Sequence, residues 1–175
     1  RQGFDMAQLM IDLLNDDSLA GDLGFNFEQE FDKNSVYWIG MGSGGRAITE
    51  LLLAGNPVPS GIIFDSTPDD LQPYLADNET YAFEQKAFDR IFLDENLDNF
   101  ALDAVTSLPA RTAWIYSNGD PQHPQESFYS GANIIENIEG SWITDRNQNG
   151  HVFINQDIQL AEQSVQFLLS GNVGE

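Results

Sequence analysis

The stretch Ser35-Val-Tyr-Trp-Ile-Gly-Met-Gly-Ser-Gly-Gly45 decides how this 175-residue chain is expected to fold. Its first part is an apolar run rich in β-branched and aromatic residues, which predicts a buried strand over residues 35–40. The run breaks at Gly40, and residues 46–54 then carry apolar side chains at helical spacing. A strand, a tight glycine turn and a helix are therefore predicted to follow one another without a connecting loop.

Three further apolar runs predict strands at residues 61–66, 112–117 and 141–144. Helical patterns lie before, between and after these runs, and strands that alternate with helices favour a parallel sheet. The chain is therefore predicted to be a single α/β domain over residues 1–175. Its core is a parallel sheet of about four strands with helices on both faces.

The helical patterns also predict which side chains face inward. On the first helix, apolar spacing places one set of side chains on the buried face: Met6, Leu9, Met10, Leu13 and Leu14. On the last helix the same reasoning places Val165 and Leu169 inward, in line with Leu168.

Composition restricts the possible partners. With 28 acidic and 7 basic residues the net charge is −21, which argues against nucleic acid and anionic membranes. Such a surface suits a salty or extracellular setting, so we expect an extracellular or cell-surface protein. The chain has no cysteine, which excludes disulfides, and no apolar run long enough to span a membrane.

The glycine spacing after the first strand resembles the nucleophile elbow of α/β-hydrolases, typically Gly-x-Ser-x-Gly followed by another Gly. Gly40, Gly44 and Gly45 match that pattern, and Gly42 falls on the nucleophile position. The elbow residue sits in a strained conformation with positive φ, which glycine adopts without penalty. The resemblance therefore implies an esterase- or lipase-like serine hydrolase whose nucleophile is missing.

A second register of the same motif would place Ser43 at the nucleophile position. It leaves Met41 where the family has a small residue, and a methionine there would crowd the neighbouring backbone. We therefore favour Gly42 and assign Ser43 the backbone N–H of the oxyanion hole. An active esterase that uses Ser43 stays open as an alternative.

The remaining triad positions come from the same resemblance. Asp120, in the loop after the third strand, matches the catalytic acid, although it also fits an ordinary turn. Asp65, at the end of the second strand, is the second candidate for the acid. His151 matches the catalytic histidine in Asn-Gly-His-Val-Phe, and the order elbow, acid, histidine is that of the family. His123 is interpreted as a surface residue.

Two other motifs overlap these positions. The glycine turn could bind phosphate, but it lacks the lysine and the spacing of a P-loop and only loosely suits a dinucleotide fingerprint. The stretch 145–150 begins like a calcium loop, yet Gln156 stands where such a loop has a glutamate. We therefore predict no cofactor and no metal and favour a polar turn at 145–150, with calcium binding there as the alternative left open.

The resemblance covers only the C-terminal half of the hydrolase fold, because about 35 residues precede the first strand. That strand would then form an apolar sheet edge. We expect the edge at 36–39 to be covered by the upstream half of the fold or by another chain, which would also supply the second oxyanion donor. The interval 67–110 lies where the family inserts a cap or lid.

Two classes of function follow from the resemblance. One is an ester hydrolase, with an ester or acyl compound as its small-molecule ligand, inactive here because of Gly42. The other is a hydrolase-derived binding or structural domain of a larger secreted protein.

Overall fold

The computed structural model of the chain describes residues 2–16, 21–22, 32, 34–67, 102, 105–117, 126–146 and 157–173. Its elements are α1 (Gln2–Asn15), β1 (Tyr37–Met41), α2 (Ser43–Leu53), β2 (Gly61–Asp65), β3 (Thr112–Ser117), α3 (Glu126–Ile135), β4 (Trp142–Arg146) and α4 (Ile158–Ser170). All four predicted strands are present, with ends within two residues of those expected.

The four strands form one sheet in the order β1-β2-β3-β4, and every pair is parallel. This confirms the predicted fold class, a parallel α/β sheet. Because the carboxyl ends of parallel strands share one edge, the residues that follow β1 and β2 lie side by side. Within the described residues, β1 has β2 as its only neighbour and is an edge strand.

Side chains of alternate strand residues build one core on each face of the sheet. On the face covered by α2 and α3, the buried cluster consists of Ile48, Ile62, Phe64, Leu102, Trp114 and Ile135. On the face covered by α4, it consists of Ile63, Ala113, Ile115, Phe167 and Leu168. The helices therefore lie on both faces of the sheet, as predicted.

The predicted inward faces of the first and last helices are wrong in part. Leu13 is buried as predicted, but Leu9 and Met10 are 46% and 51% exposed, and Ile11, which lies outside the predicted face, is buried. The last helix is turned by about one residue from the prediction, so that Phe167 is buried and packs on the Trp142 ring.

The rotation of the last helix relative to the prediction has a clear physical explanation. Val165 and Leu169 are 42% and 62% exposed, and Ser164 is buried instead. The Ser164 hydroxyl donates to the Leu160 carbonyl at 2.6 Å, which removes the cost of burying that polar group. Apolar spacing alone does not reveal this compensation.

Two other predictions fall on segments that the structure describes only in part. Within the interval 67–110, Leu102 is buried in the core, and Val105 and Leu108 pack against the same cluster. The rest of the proposed cap, at 68–101 and 103–104, lies outside the described residues. The single-domain organisation stays a prediction.

The last strand is longer than expected. Asp145 was placed in a loop by the sequence, but it lies within β4 and pairs with Tyr116 of β3. As for membranes, no helix in the described part of the chain combines the length and apolar character that a span requires.

Candidate functional site

The turn between β1 and α2 has an unusual backbone conformation at Gly42, where φ is 52° and ψ is −121°. Its N–H donates to the Asp65 carbonyl at 2.9 Å, and its carbonyl accepts from the Gly45 N–H at 3.1 Å. These bonds hold the turn against the end of β2 and start the helix. A residue with a side chain would be strained here, whereas glycine is not.

Two of the flanking glycines are required by close packing. A Cβ on Gly40 would lie 2.5 Å from the Gly45 Cα and 2.8 Å from the Ile48 Cδ1. A Cβ on Gly45 would overlap the side chain of Thr67, which follows β2. Any larger residue at Gly40 or Gly45 would push α2 away from the sheet.

Gly44 differs from these two. A Cβ built on it would meet no atom within 4 Å, and its φ is not positive. Neither the packing nor the backbone conformation therefore requires glycine at this position. Of the three glycines that match the hydrolase pattern, only Gly40 and Gly45 have a steric role in the turn.

The end of β2 forms the second wall of this site, through the buried residues Asp65, Ser66 and Thr67. The Ser66 hydroxyl donates to Asp65 Oδ1 at 3.2 Å, and its N–H donates to the Ile115 carbonyl at 2.8 Å. Thr67 Oγ1 donates to the Gly40 carbonyl at 3.4 Å. These contacts connect the turn after β2 to both neighbouring strands.

Ser66 is the one described non-glycine residue with a positive φ, at 49°. Strain of this kind persists only where the surrounding structure enforces it, and it concentrates at functional sites. The two adjacent strands β1 and β2 therefore both end in a left-handed residue, Gly42 and Ser66. Both residues lie at the carboxyl edge of the sheet, and the crevice outside that edge is where α/β folds bind ligands.

The first turn of α2 faces the same edge. The first N–H groups of a helix, here those of Ser43 and Gly44, have no partner within the helix. This turn itself contains no acidic residue, although buried Asp65, at the end of β2, lies beside Gly42. Arg46, in the same helix, is also buried. The N–H groups of the turn are suited to donate to a ligand atom that carries or develops negative charge.

The structure brings some of the predicted site residues together. Gly42, the backbone of Ser43 and Asp65 meet at the crevice, and Ser43 is the first residue of α2. Asp120, His123 and His151 lie outside the described residues, so their roles stay predictions.

The possible calcium loop is described only at its start. Asp145 is exposed on β4, and residues 147–150 are outside the described part. In the described part no three acidic or histidine side chains form a group that could hold a metal ion.

Sequence reasoning did not find Ser66, Thr67 or Arg46. A usable signal was the Asp-Ser-Thr run directly after the buried Gly-Ile-Ile-Phe strand, because polar residues at that edge often line ligand sites. The burial of Arg46 had no such signal, since an arginine on a helix is normally exposed.

A separate cavity of about 300 Å³ lies at the opposite, amino-terminal end of β1. It is enclosed by the second half of α1, the residues leading into β1 and the loop before β2, and none of its ten lining residues is charged. The sequence did not predict it, because its walls come from three separate segments.

Comparisons with protein-family models, with curated proteins and with solved structures each find no significant match to this chain. The function of the chain is therefore inferred from the residues and geometry at the carboxyl edge of the sheet.

Proposed function

We propose that this chain is an α/β-hydrolase-like domain of the esterase or lipase kind, inactive as it stands because Gly42 occupies the nucleophile position. The conformation of Gly42 between a parallel strand and a helix carries the proposal, since a nucleophile elbow requires such a strained strand-to-helix turn. The tight contact between Gly40 and Gly45 supports the same interpretation, because it lets the helix follow the strand so closely.

The chemistry of the site follows from the triad roles. In a working triad a histidine takes the proton of the nucleophile, and an acid orients the histidine and stabilises its charged form. We assign these roles to His151 and Asp120, with Asp65 as the second candidate acid because it is buried beside Gly42. Glycine has no hydroxyl, so no acyl-enzyme can form at position 42.

Ser43 has a different role in this proposal. As the first residue of α2 it follows the strained position, and its N–H would stabilise the oxyanion of a bound ester. The alternative, in which the Ser43 hydroxyl attacks the ester, predicts activity in the unmodified chain. The two possibilities are therefore separated by measuring that chain directly.

The test uses a fluorophosphonate probe, which labels activated serines, together with hydrolysis of short activated esters. We expect no labelling of the unmodified chain and specific labelling of Gly42→Ser. Gly42→Ala is the matched control, because it introduces the same backbone strain, about 1–3 kcal/mol, without a hydroxyl. Circular dichroism of both variants checks that they fold.

The unmodified chain and its Ser43→Ala variant complete the test. Labelling of the unmodified chain that is lost in Ser43→Ala would identify Ser43 as the nucleophile and overturn the assignment of Gly42. A folded Gly42→Ser variant that is neither labelled nor active, even when the upstream half of the fold is supplied with it, would contradict the hydrolase proposal.

The second candidate is a binding or structural domain of a larger secreted protein, derived from a hydrolase. It is favoured by one observation: the crevice keeps its positive helix end while Gly42 carries no reactive group. Binding of a short-chain carboxylate or ester, with NMR shifts at the Ser43 and Gly44 amides but no turnover in Gly42→Ser, would support this candidate.

We further propose that the edge strand at 36–39 is covered in the native protein, by the upstream half of the fold or by another chain. The support is that β1 is apolar and lies at the edge of the described sheet. We place the protein outside the cell or on its surface, in keeping with its net charge of −21.

A further inference from the structure

We infer that the outer edge of β1 and the cavity beside it receive an extended, apolar polypeptide segment without acidic residues, which adds to the sheet as a further strand. This deepens the proposal that β1 is covered and does not depend on ester chemistry at Gly42. Three observations support the segment: the backbone groups of β1 that pair with no described strand, the apolar side chains on both faces of β1, and the charge of the chain.

The backbone groups available for pairing can be assigned residue by residue. The Val36 carbonyl accepts from the Ser60 N–H at 2.8 Å, and the Gly42 N–H donates to Asp65, so both groups point toward β2. In a strand the N–H and C=O of one residue point to the same side, and alternate residues point to opposite sides. The N–H and C=O groups of Tyr37, Ile39 and Met41 therefore point outward, and within the described residues no strand pairs with them.

The side chains along this edge are apolar on both faces of the sheet. On the α4 face, Ile39 and Met41 are 44% and 38% exposed. The residues Val36 to Met41 include no charged side chain and no proline, the usual devices that keep a free edge from pairing. β1 thus has the composition of a strand with neighbours on both sides.

On the other face, the cavity of about 300 Å³ lies at the amino-terminal end of β1, and we assign it to a side chain of the incoming segment. Val36 and Trp38 of this edge line the cavity together with Ile11 and Leu14 of α1 and Val58, and Asn15, Asn34 and Ser60 add polar groups to the lining.

The walls of this cavity are held together by hydrogen bonds. The side-chain amides of Gln8 and Asn56 bond each other reciprocally at 2.8 Å, which fixes the loop to α1. The Ser60 hydroxyl donates to the Asn34 carbonyl at 2.7 Å, which fixes the loop to the start of β1. The cavity is therefore formed before any segment binds.

The net charge of the chain indicates which kind of segment can pair with β1. A second copy would bring another net charge of −21 to an uncharged edge, so pairing of two β1 strands is opposed by like-charge repulsion. A segment that is apolar at its centre and basic or neutral at its ends avoids this repulsion. Addition of such a segment to an exposed edge is a known mode of peptide recognition, in which main-chain bonds give affinity and side-chain pockets give specificity.

The test is amide hydrogen exchange, read by NMR at single residues. In the monomeric chain alone we expect slow exchange at Trp38 and Gly40, whose N–H groups point toward β2, and fast exchange at Tyr37, Ile39 and Met41. The probe is the peptide Lys-Lys-Val-Ile-Val-Val-Gly-Lys-Lys, and the control peptide has glutamate in place of every lysine. We expect the lysine peptide to slow exchange at Ile39 and Met41 at least about tenfold, and the glutamate peptide to do so much less.

A matched pair of variants isolates the outward N–H. Ile39→Pro removes only the N–H that points away from β2, a position where edge strands accept proline, and Ile39→Val keeps it. We expect the lysine peptide to bind Ile39→Val and not Ile39→Pro, with a change in Trp38 fluorescence as a second readout.

Several results would overturn the inference. One is equal protection of Ile39 and Gly40 in the monomer, which would mean that the chain already covers its own edge. Another is the absence of added protection at about 1 mM peptide. Protection that rises when the chain alone is concentrated would identify a second copy as the occupant. None of these results affects labelling of Gly42→Ser, so this inference and the hydrolase proposal fail separately.

Discussion

Strands β1 and β2 have similar compositions and different surroundings. Each is five residues long and mostly apolar, and they pair in register along their whole length. Every residue of β2 is buried, whereas Ile39 of β1 is 44% exposed beside the fully buried Ile63, its direct partner on the same face. The burial of a strand is thus determined by what lies on its far side, and apolar composition alone does not determine it.

The two strands also differ where they end. Each is followed by a residue with positive φ at the carboxyl edge of the sheet. After β1 this residue is Gly42, which adopts the conformation without strain, and after β2 it is Ser66, which is strained. The exposed strand therefore ends in the less strained turn, and the buried strand supports the more strained one. This agrees with the expectation that strain is kept where the surrounding packing is strongest.

The comparison is tested most strongly by truncating the paired isoleucines. We expect Ile63→Ala to lower the free energy of unfolding by about 2–5 kcal/mol, because it leaves a cavity among Ala113, Ile115 and Phe167. Ile39→Ala should cost less than about 1 kcal/mol, since the side chain is already half in solvent. Urea denaturation of both variants measures the difference. Equal losses would mean that a segment already covers β1.

The next effect concerns the contact that joins the helix after β1 to the end of β2. Gly45→Ala should destabilise the chain by about 1–3 kcal/mol, because the new methyl group overlaps the Thr67 side chain. In a double-mutant cycle, Thr67→Ala should recover part of this loss. If the two substitutions prove additive, the contact between these segments is not what requires glycine at position 45.

A smaller effect of opposite sign is expected one residue earlier. Gly44→Ala should raise the free energy of unfolding by about 0.5 kcal/mol, since alanine favours the helix and its methyl group meets no atom within 4 Å. Gly45→Ala, at the adjacent position, is the control for a simple change in helix propensity. Thermal unfolding of both variants should show midpoints that move in opposite directions.

The smallest effect concerns the turn that leads into β1. The Ser35 hydroxyl, followed by the Asn34 N–H, holds the pKa of exposed Asp32 below its ordinary value of 3.8. The ionised form is thus favoured in the folded chain, so its contribution to stability is present above pH 3.8 and lost as the pH falls through the lowered pKa.

Asp32→Asn tests this titration. Asparagine keeps an acceptor oxygen but does not titrate, so the variant should lose less stability than the unmodified chain between about pH 6 and about pH 3. Denaturant midpoints at the two pH values measure the loss of stability of each protein. The contributions of the other acidic groups are common to both proteins and cancel when the two losses are compared. Identical losses would show that this turn does not contribute to the stability of the exposed strand.

Much of the fold could be predicted from the sequence because its signals are local. The glycines at 40, 42 and 45 interrupt an apolar run in a way that only a tight turn accommodates, and the structure has the turn there. The four strands were predicted from apolar runs between polar or glycine-rich segments. These patterns depend on a few adjacent residues, so no information on distant contacts is required.

The wrong predictions concern which face of a helix is buried and where the last strand ends. Met10 and Leu169 were predicted to be buried because apolar spacing places them on a helix face, yet both are exposed. Each helix carries more apolar residues than one face can hold, so the choice of face depends on which side chains fit the sheet. Asp145 was similarly placed in a loop, although pairing with Tyr116 extends β4 through it.

The sequence by itself determined the order of strands and helices and the glycine turn between β1 and α2, because backbone preference and the spacing of apolar residues are properties of neighbouring residues. Only the tertiary structure decided how far each side chain of β1 is exposed, that Ser66 is strained and that a cavity lies beside Trp38. The physical reason is that burial, strain and cavities arise between segments distant in the chain, and each depends on how those segments pack.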